Sequence, residues 1–146
     1  IPKDFQIIKE SLNENYLWIG RGYPYKWIFL FTDNEEYYTD PNSAWSRLGN
    51  KFNDILDINI FAFERQFFLQ EEDRSKIIGI YGTKIESENT TGGPFITYII
   101  KNIESNRVLI VSGFVNFPGK SKLFHIKELE HIFDKIEYKG RGNHEK

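Results

Sequence analysis

The chain has 146 residues, 40% of them hydrophobic, enough for one domain with a real core and short for two. Nineteen Lys and Arg against 21 Asp and Glu leave a net charge of −2, so no basic field announces nucleic acid or an anionic membrane. Cysteine is absent, which excludes disulfides, thiolate nucleophiles and cysteine metal sites, and no apolar run reaches the length of a bilayer span.

The start at Ile1 and Pro2 shows no signal peptide and is expected of a fragment or a processed product. The aromatic content, 13 Phe, 8 Tyr and 3 Trp, favours pleated, half-buried surfaces and so a β-rich core. Residues 5–10 (FQIIKE) and 16–20 (YLWIG) read as short strands, and 26–32 (KWIFLFT) as an aromatic-rich one. Gly20, Gly22 and Pro24 supply the reversal between the last two.

Asp40 followed by Pro41 is a helix start, because a carboxylate caps free backbone N–H groups and proline suits the first turn. Trp45, Leu48, Phe52 and Ile55 then follow at helical spacing, and the helix is predicted to end near Asp57. Residues 58–70 and 76–87 read as two strands joined through EEDRS. Residues 94–102 and 107–117 read as a second pair, with Asn106 expected at a positive-φ turn position. A second helix is predicted from Lys120 to about Glu137, burying Ile126, Leu129, Phe133 and Ile136 and leaving Lys122, His125, Glu128 and Lys135 on its wet face.

The pattern is a hairpin feeding an amphipathic helix, twice. It predicts an α+β fold: an antiparallel sheet of six to seven strands with both helices on one face, spanning 1–138 as a single domain with a frayed polar tail at 139–146. In RVLIVSGFVNF and WIFLF both alternating sets are apolar, so these central strands are covered on both faces. With both helices assigned to one face, the other is expected to be covered by something outside the chain.

Candidate sites divide into weak and weaker. Gly92, Gly93 and Pro94 invite an anion-nest reading, but no Gly-Lys-Ser/Thr and no helix follow, so they are expected to start a strand with glycines at positive φ and Pro94 at the first strand position. His125, Glu128 and His131 are weak metal candidates, since the two histidines stand six apart, about 120° around a helix axis. No nucleophile elbow is present, Ser112 has no base in its context, and the carboxylate groups Glu35–Glu36 and Glu71–Glu72–Asp73 lie in expected turns. No cofactor is expected. Tyr16, Trp18, Tyr23, Tyr25 and Trp27 cluster around the first hairpin and form the favoured contact surface.

Gly92, Gly93, Pro94 and Phe95, then Asn106 and Arg107, then Gly113, Phe114 and Val115, Pro118, Leu129 and Glu130 form an ordered set that resembles the C-terminal half of a known family. The opening IPKDFQIIKES and YLWI at 16–19 is similar to that family's entry into the half. The family comprises Bacteroidota envelope lipoproteins and is known as the domain of unknown function numbered four-eight-three-seven. Ile78, Gly79, Ile80 and Tyr81 stand where it tends to have Arg-Gly-Leu-Trp, and Thr91 where it has Met, so no role for that arginine carries over. The resemblance implies a periplasmic, lipid-anchored parent with a preceding half of similar size, the anchor lying outside this chain. The expected function is a non-catalytic envelope module packing against another domain or envelope protein. The alternative is a ligand-binding or hydrolytic domain acting on an envelope component such as a glycan, with a cleft near residues 20–27.

Overall fold

The structure is a computed structural model and describes residues 5–11, 13, 15–21, 25–71, 73–83, 92–102, 104–116 and 122–138. Seven strands form one antiparallel sheet: β1 (Gln6–Ser11), β2 (Tyr16–Arg21), β3 (Tyr25–Asn34), β4 (Ile58–Glu71), β5 (Arg74–Thr83), β6 (Gly92–Lys101) and β7 (Arg107–Asn116). Their spatial order is β1-β2-β3-β7-β6-β5-β4, so the aromatic and β-branched β3, β7 and β6 are central and β1 and β4 are edges. Helix α1 (Pro41–Lys51) connects β3 to β4, and α2 (Lys122–Phe133) follows β7. The α+β class and the two hairpin-then-helix units are those the patterning predicts.

The start and end of α1 follow from local chemistry. The Asp40 carboxylate accepts the Ser43 N–H at 2.9 Å, and Pro41 occupies the first turn. Beyond Lys51 the helix widens into a π turn, Phe52–Leu56, and stops at Asp57, whose φ of 61° is left-handed. A 3-10 turn, Glu35–Tyr38, precedes it, capped by the Asn34 side chain, which accepts the Glu36 N–H.

The placement of both helices on one face is overturned. Register puts Tyr16, Trp18, Trp27, Phe29, Phe31, Phe95, Ile99, Ile110 and Phe114 on one side of the sheet, where Ala44, Leu48 and Phe52 of the α1 region join them. Ile19, Ile28, Ile96, Tyr98, Ile100, Val111 and Val115 point the other way and pack with Ile126, Leu129 and Phe133 of α2. The two-sided apolar strands are therefore covered within the chain itself, one helix per face. Connectivity supplies the reason on the first side: β3 is central and β4 is the far edge, so the segment bearing α1 has to cross β7, β6 and β5.

Two glycines make room for the helices. A Cβ on Gly79 would stand 2.8 Å from the Trp45 ring, and one on Gly113 would stand 2.7 Å from Leu129 on the opposite face. Gly92 and Gly93 do lie at the start of β6, paired with Gly82 and Tyr81, but the expectation of positive φ fails. They are extended, and they are needed because the Tyr81 and Val115 carbonyl oxygens stand 2.2 and 2.3 Å from where a Cβ would be. Pro94 sits two residues inside the strand, opposite Ile80. Asn106 does not take a positive φ either; among the described non-glycine residues only Asn15 and Asp57 do. The β6–β7 turn is instead organised by Asn102, whose side chain accepts the Glu104 N–H, while the Asn106 carbonyl accepts from Glu35.

Candidate functional site

Of the favoured hairpin aromatics, Tyr16, Trp18 and Trp27 share the α1 face. Tyr16 is buried against Phe29, with ring centroids 5.7 Å apart, and Trp18 and Trp27 are half-buried against the same cluster. They serve mainly as core. Tyr23 and the side chain of Tyr25 lie outside the described residues, as does most of the turn where a cleft was expected. The exposed large apolar groups beside this hairpin are Ile7 and Ile8 of β1, 51% and 47% accessible. Ile8 lies over Gly20 together with Trp27, because a Cβ on Gly20 would stand 2.7 Å from both side chains. The adjacent isoleucines in QIIKES carry that signal in the sequence: no one-sided strand places two large apolar residues in succession.

The β1 strand is also irregular. Its pairing to β2 slips between Ile7 and Lys9, a bulge that twists the edge and blunts addition of a further strand. Between β1 and the π turn runs an open polar groove of about 460 Å³ lined by Lys9, Glu10, Ser11, Tyr16, Asp54 and Ile55.

A second groove, of about 430 Å³, opens on the outer side of α1, bordered by Tyr37, Asn42, Ser46, Arg47 and Asn50. Its wall is built by an interior network that the sequence reading missed. Buried Asp33, at the end of β3, accepts from Arg47 Nε at 2.7 Å, from Arg47 Nη2 at 3.0 Å and from the Tyr38 hydroxyl at 2.7 Å. Burial opposes the Asp33 charge, but the hydrogen bonds from Arg47, Tyr38 and the Asn34 N–H outweigh it and hold its pKa below the usual carboxylate range. Its hydrogen bonds to Asp33 raise the Arg47 pKa, while burial and then the Asp33 carboxylate push the Tyr38 hydroxyl up. Arg47 also stacks on the exposed Tyr37 ring, 3.8 Å from its centroid.

The α2 candidates separate. Glu128 pairs with Lys26 of β3, whose side chain is buried, while His131 is exposed and the His125 side chain is outside the described residues. Glu128 is thus committed to the sheet rather than to a histidine. Glu130 pairs with Lys76, the Tyr98 hydroxyl donates to Asp134 at 2.7 Å, and Arg74 donates to the Ile136 carbonyl at 3.0 Å. The expected wet face of α2 is exposed at Glu128 and Lys135, and polar groups along and just beyond the helix also tether it to the sheet. Among the described residues no group of three His, Asp or Glu is placed to share a metal. Ser112 is fully buried, its hydroxyl 2.7 Å from that of Thr97, a paired core group.

The family model described as Domain of unknown function (DUF4837) matches residues 1–135. The chain belongs to that family. No curated protein matches. Among solved structures, the chain is similar to the Ran-binding protein Mog1p of Saccharomyces cerevisiae. The TM-score is 0.51 at 11% identity, covering 94% of this chain and 77% of that one. Identity this low speaks for the fold alone. It places the seven-stranded sheet of this chain in a known architecture.

Proposed function

We propose that this chain is a non-catalytic module of the cell envelope that packs against another domain or envelope protein through the β1 edge. The observation that carries the reading is the pair of half-exposed isoleucines at this edge, Ile7 opposite Ile19 and Ile8 continuous over Gly20 with Trp27. Because α2 covers the second sheet face, the docking surface moves from that face to this edge. The bulge at Ile8 makes side chains, not added strand hydrogen bonds, the contacting groups. Burying apolar surface at about 25 cal/mol per Å² rewards covering both side chains. The periplasmic position and the lipid anchor rest on the resemblance to Bacteroidota envelope lipoproteins.

A photocrosslinking residue at position 8 of the full-length protein in its native cell tests this. The expected result is one discrete adduct, lost in Ile7→Lys and absent when the probe replaces exposed Lys127 on α2. Equal labelling from both positions, or none from position 8, would sink the docking reading. Recovery of the full-length protein in the cytosolic fraction would overturn the envelope assignment separately.

A further inference from the structure

We propose that the outer face of α1 is a binding surface for a neutral sugar ring. The surface shares no residue with the β1 edge, so the proposal goes beyond packing and the two fail independently.

Asn42, Ser46 and Asn50 recur every fourth residue on α1 and are all exposed, giving one side of the helix an uncharged hydrogen-bonding stripe. Steps of four residues place these groups about 6 Å apart along the axis, suited to successive contacts on linked rings. Amide and hydroxyl side chains both donate and accept, which is what a polyol requires, since each of its hydroxyls does the same. The flat apolar face of a sugar ring needs a complementary aromatic face. Tyr37, 38% exposed at the border of the same groove, supplies it.

The ring is positioned before any ligand arrives. One side of Tyr37 rests on the Arg47 guanidinium, and that guanidinium is locked by its two hydrogen bonds to buried Asp33. A ledge already ordered loses little further freedom on binding. The same locking argues against an anionic ligand. The Arg47 fork that would grip a phosphate or carboxylate is already occupied by Asp33, and Glu36 in the groove repels negative charge. A cation has no better match, with Arg47 across from that one carboxylate.

The test is an NMR titration of the whole chain with cellotetraose and chitotetraose, beside trigalacturonate as an acidic comparator. The expected result is saturable shifts confined to the 36–50 segment with one or both neutral oligosaccharides and weaker or no response to the acidic one. Affinity should fall about tenfold, or 1.4 kcal/mol, in Tyr37→Ala. Asn50→Ala, which leaves the ring ledge intact, should weaken binding less, and Ile8→Lys should leave it unchanged. Co-sedimentation with insoluble cellulose and chitin then separates recognition of a polymer segment from recognition of a free oligosaccharide. No saturable shift from either neutral sugar, shifts located elsewhere, or tighter binding of trigalacturonate overturns the proposal.

Discussion

The two faces of the sheet solve the same problem with different chemistry. Under α1 the core is aromatic: Phe52 meets Phe29, Phe95 and Phe114 edge-on, with centroids 6.2, 5.8 and 5.1 Å away, and Tyr81 packs on Phe114. Under α2 it is aliphatic, with Ile96, Ile100, Val111, Val115 and Leu129 dominating. Anchoring differs as well. Helix α1 is held by one interior knot, Asp33 with Arg47 and Tyr38, whereas α2 is held at its rim by Lys26–Glu128, Lys76–Glu130 and Tyr98–Asp134. Directional ring contacts and a buried charge fix α1 in one pose. Aliphatic packing is less directional, and polar tethers beside the apolar stripe of α2 supply the missing orientation.

The contrast is broken most severely at Phe52. Phe52→Ala removes three ring contacts and leaves a cavity between helix and sheet, an expected loss of about 3–5 kcal/mol in chemical denaturation. Next comes the glycine seat on the other side. Gly113→Ala drives a methyl group into Leu129, with an expected loss of about 1–3 kcal/mol and hydrogen exchange rising in α2 rather than α1. Asp33→Asn weakens the charged hydrogen bonds of the α1 knot and should cost about 1–3 kcal/mol, with exchange rising in α1 instead. Equal rises in both helices for these two variants would mean that the faces are not separately anchored.

Acid sharpens the same contrast. The folded pKa of Asp33 lies below its ordinary value, so its contribution is full above the ordinary carboxylate range and is lost as pH falls through the folded pKa. Acid-induced loosening of α1 in the parent protein should therefore lose its Asp33 component in Asp33→Asn, read as a flatter stability curve below the carboxylate range. The smallest effect belongs to the rim. Glu130→Gln, at a partly exposed pair, should cost less than about 1 kcal/mol, and added salt should erase the difference.

Strand identity was legible because β propensity and turn residues are local. All seven strands overlap the apolar runs that predict them, although β5 begins at Arg74 inside the expected linker and β6 begins at Gly92 ahead of Pro94. Residues 84–87 of the expected fifth strand lie outside the described residues. The cap at Asp40 and the stop at Asp57 were legible for the same reason, each depending on neighbours within one turn. The Asp33 knot was not, because Arg47 stands 14 residues away and an isolated Asp at the end of a strand reads as ordinary turn chemistry. Glu128 lies on the exposed side of α2 as expected, but its pairing with Lys26 was not legible, because that partner is 102 residues away. Tyr16, Trp18 and Trp27 drew attention as a contact surface by their chemistry, but only register shows that they line the core beside Phe29 and Phe114.

By itself the sequence determined an antiparallel α+β domain whose middle strands are apolar on both sides, since alternation along a strand is a property of the strand alone. Which helix covers which side was decided only in three dimensions. An amphipathic helix records that it has a face to bury, and both faces of this sheet accept one. The choice falls to the path from central β3 to edge β4 and to the spaces left at Gly79 and Gly113, which exist only once distant segments have met.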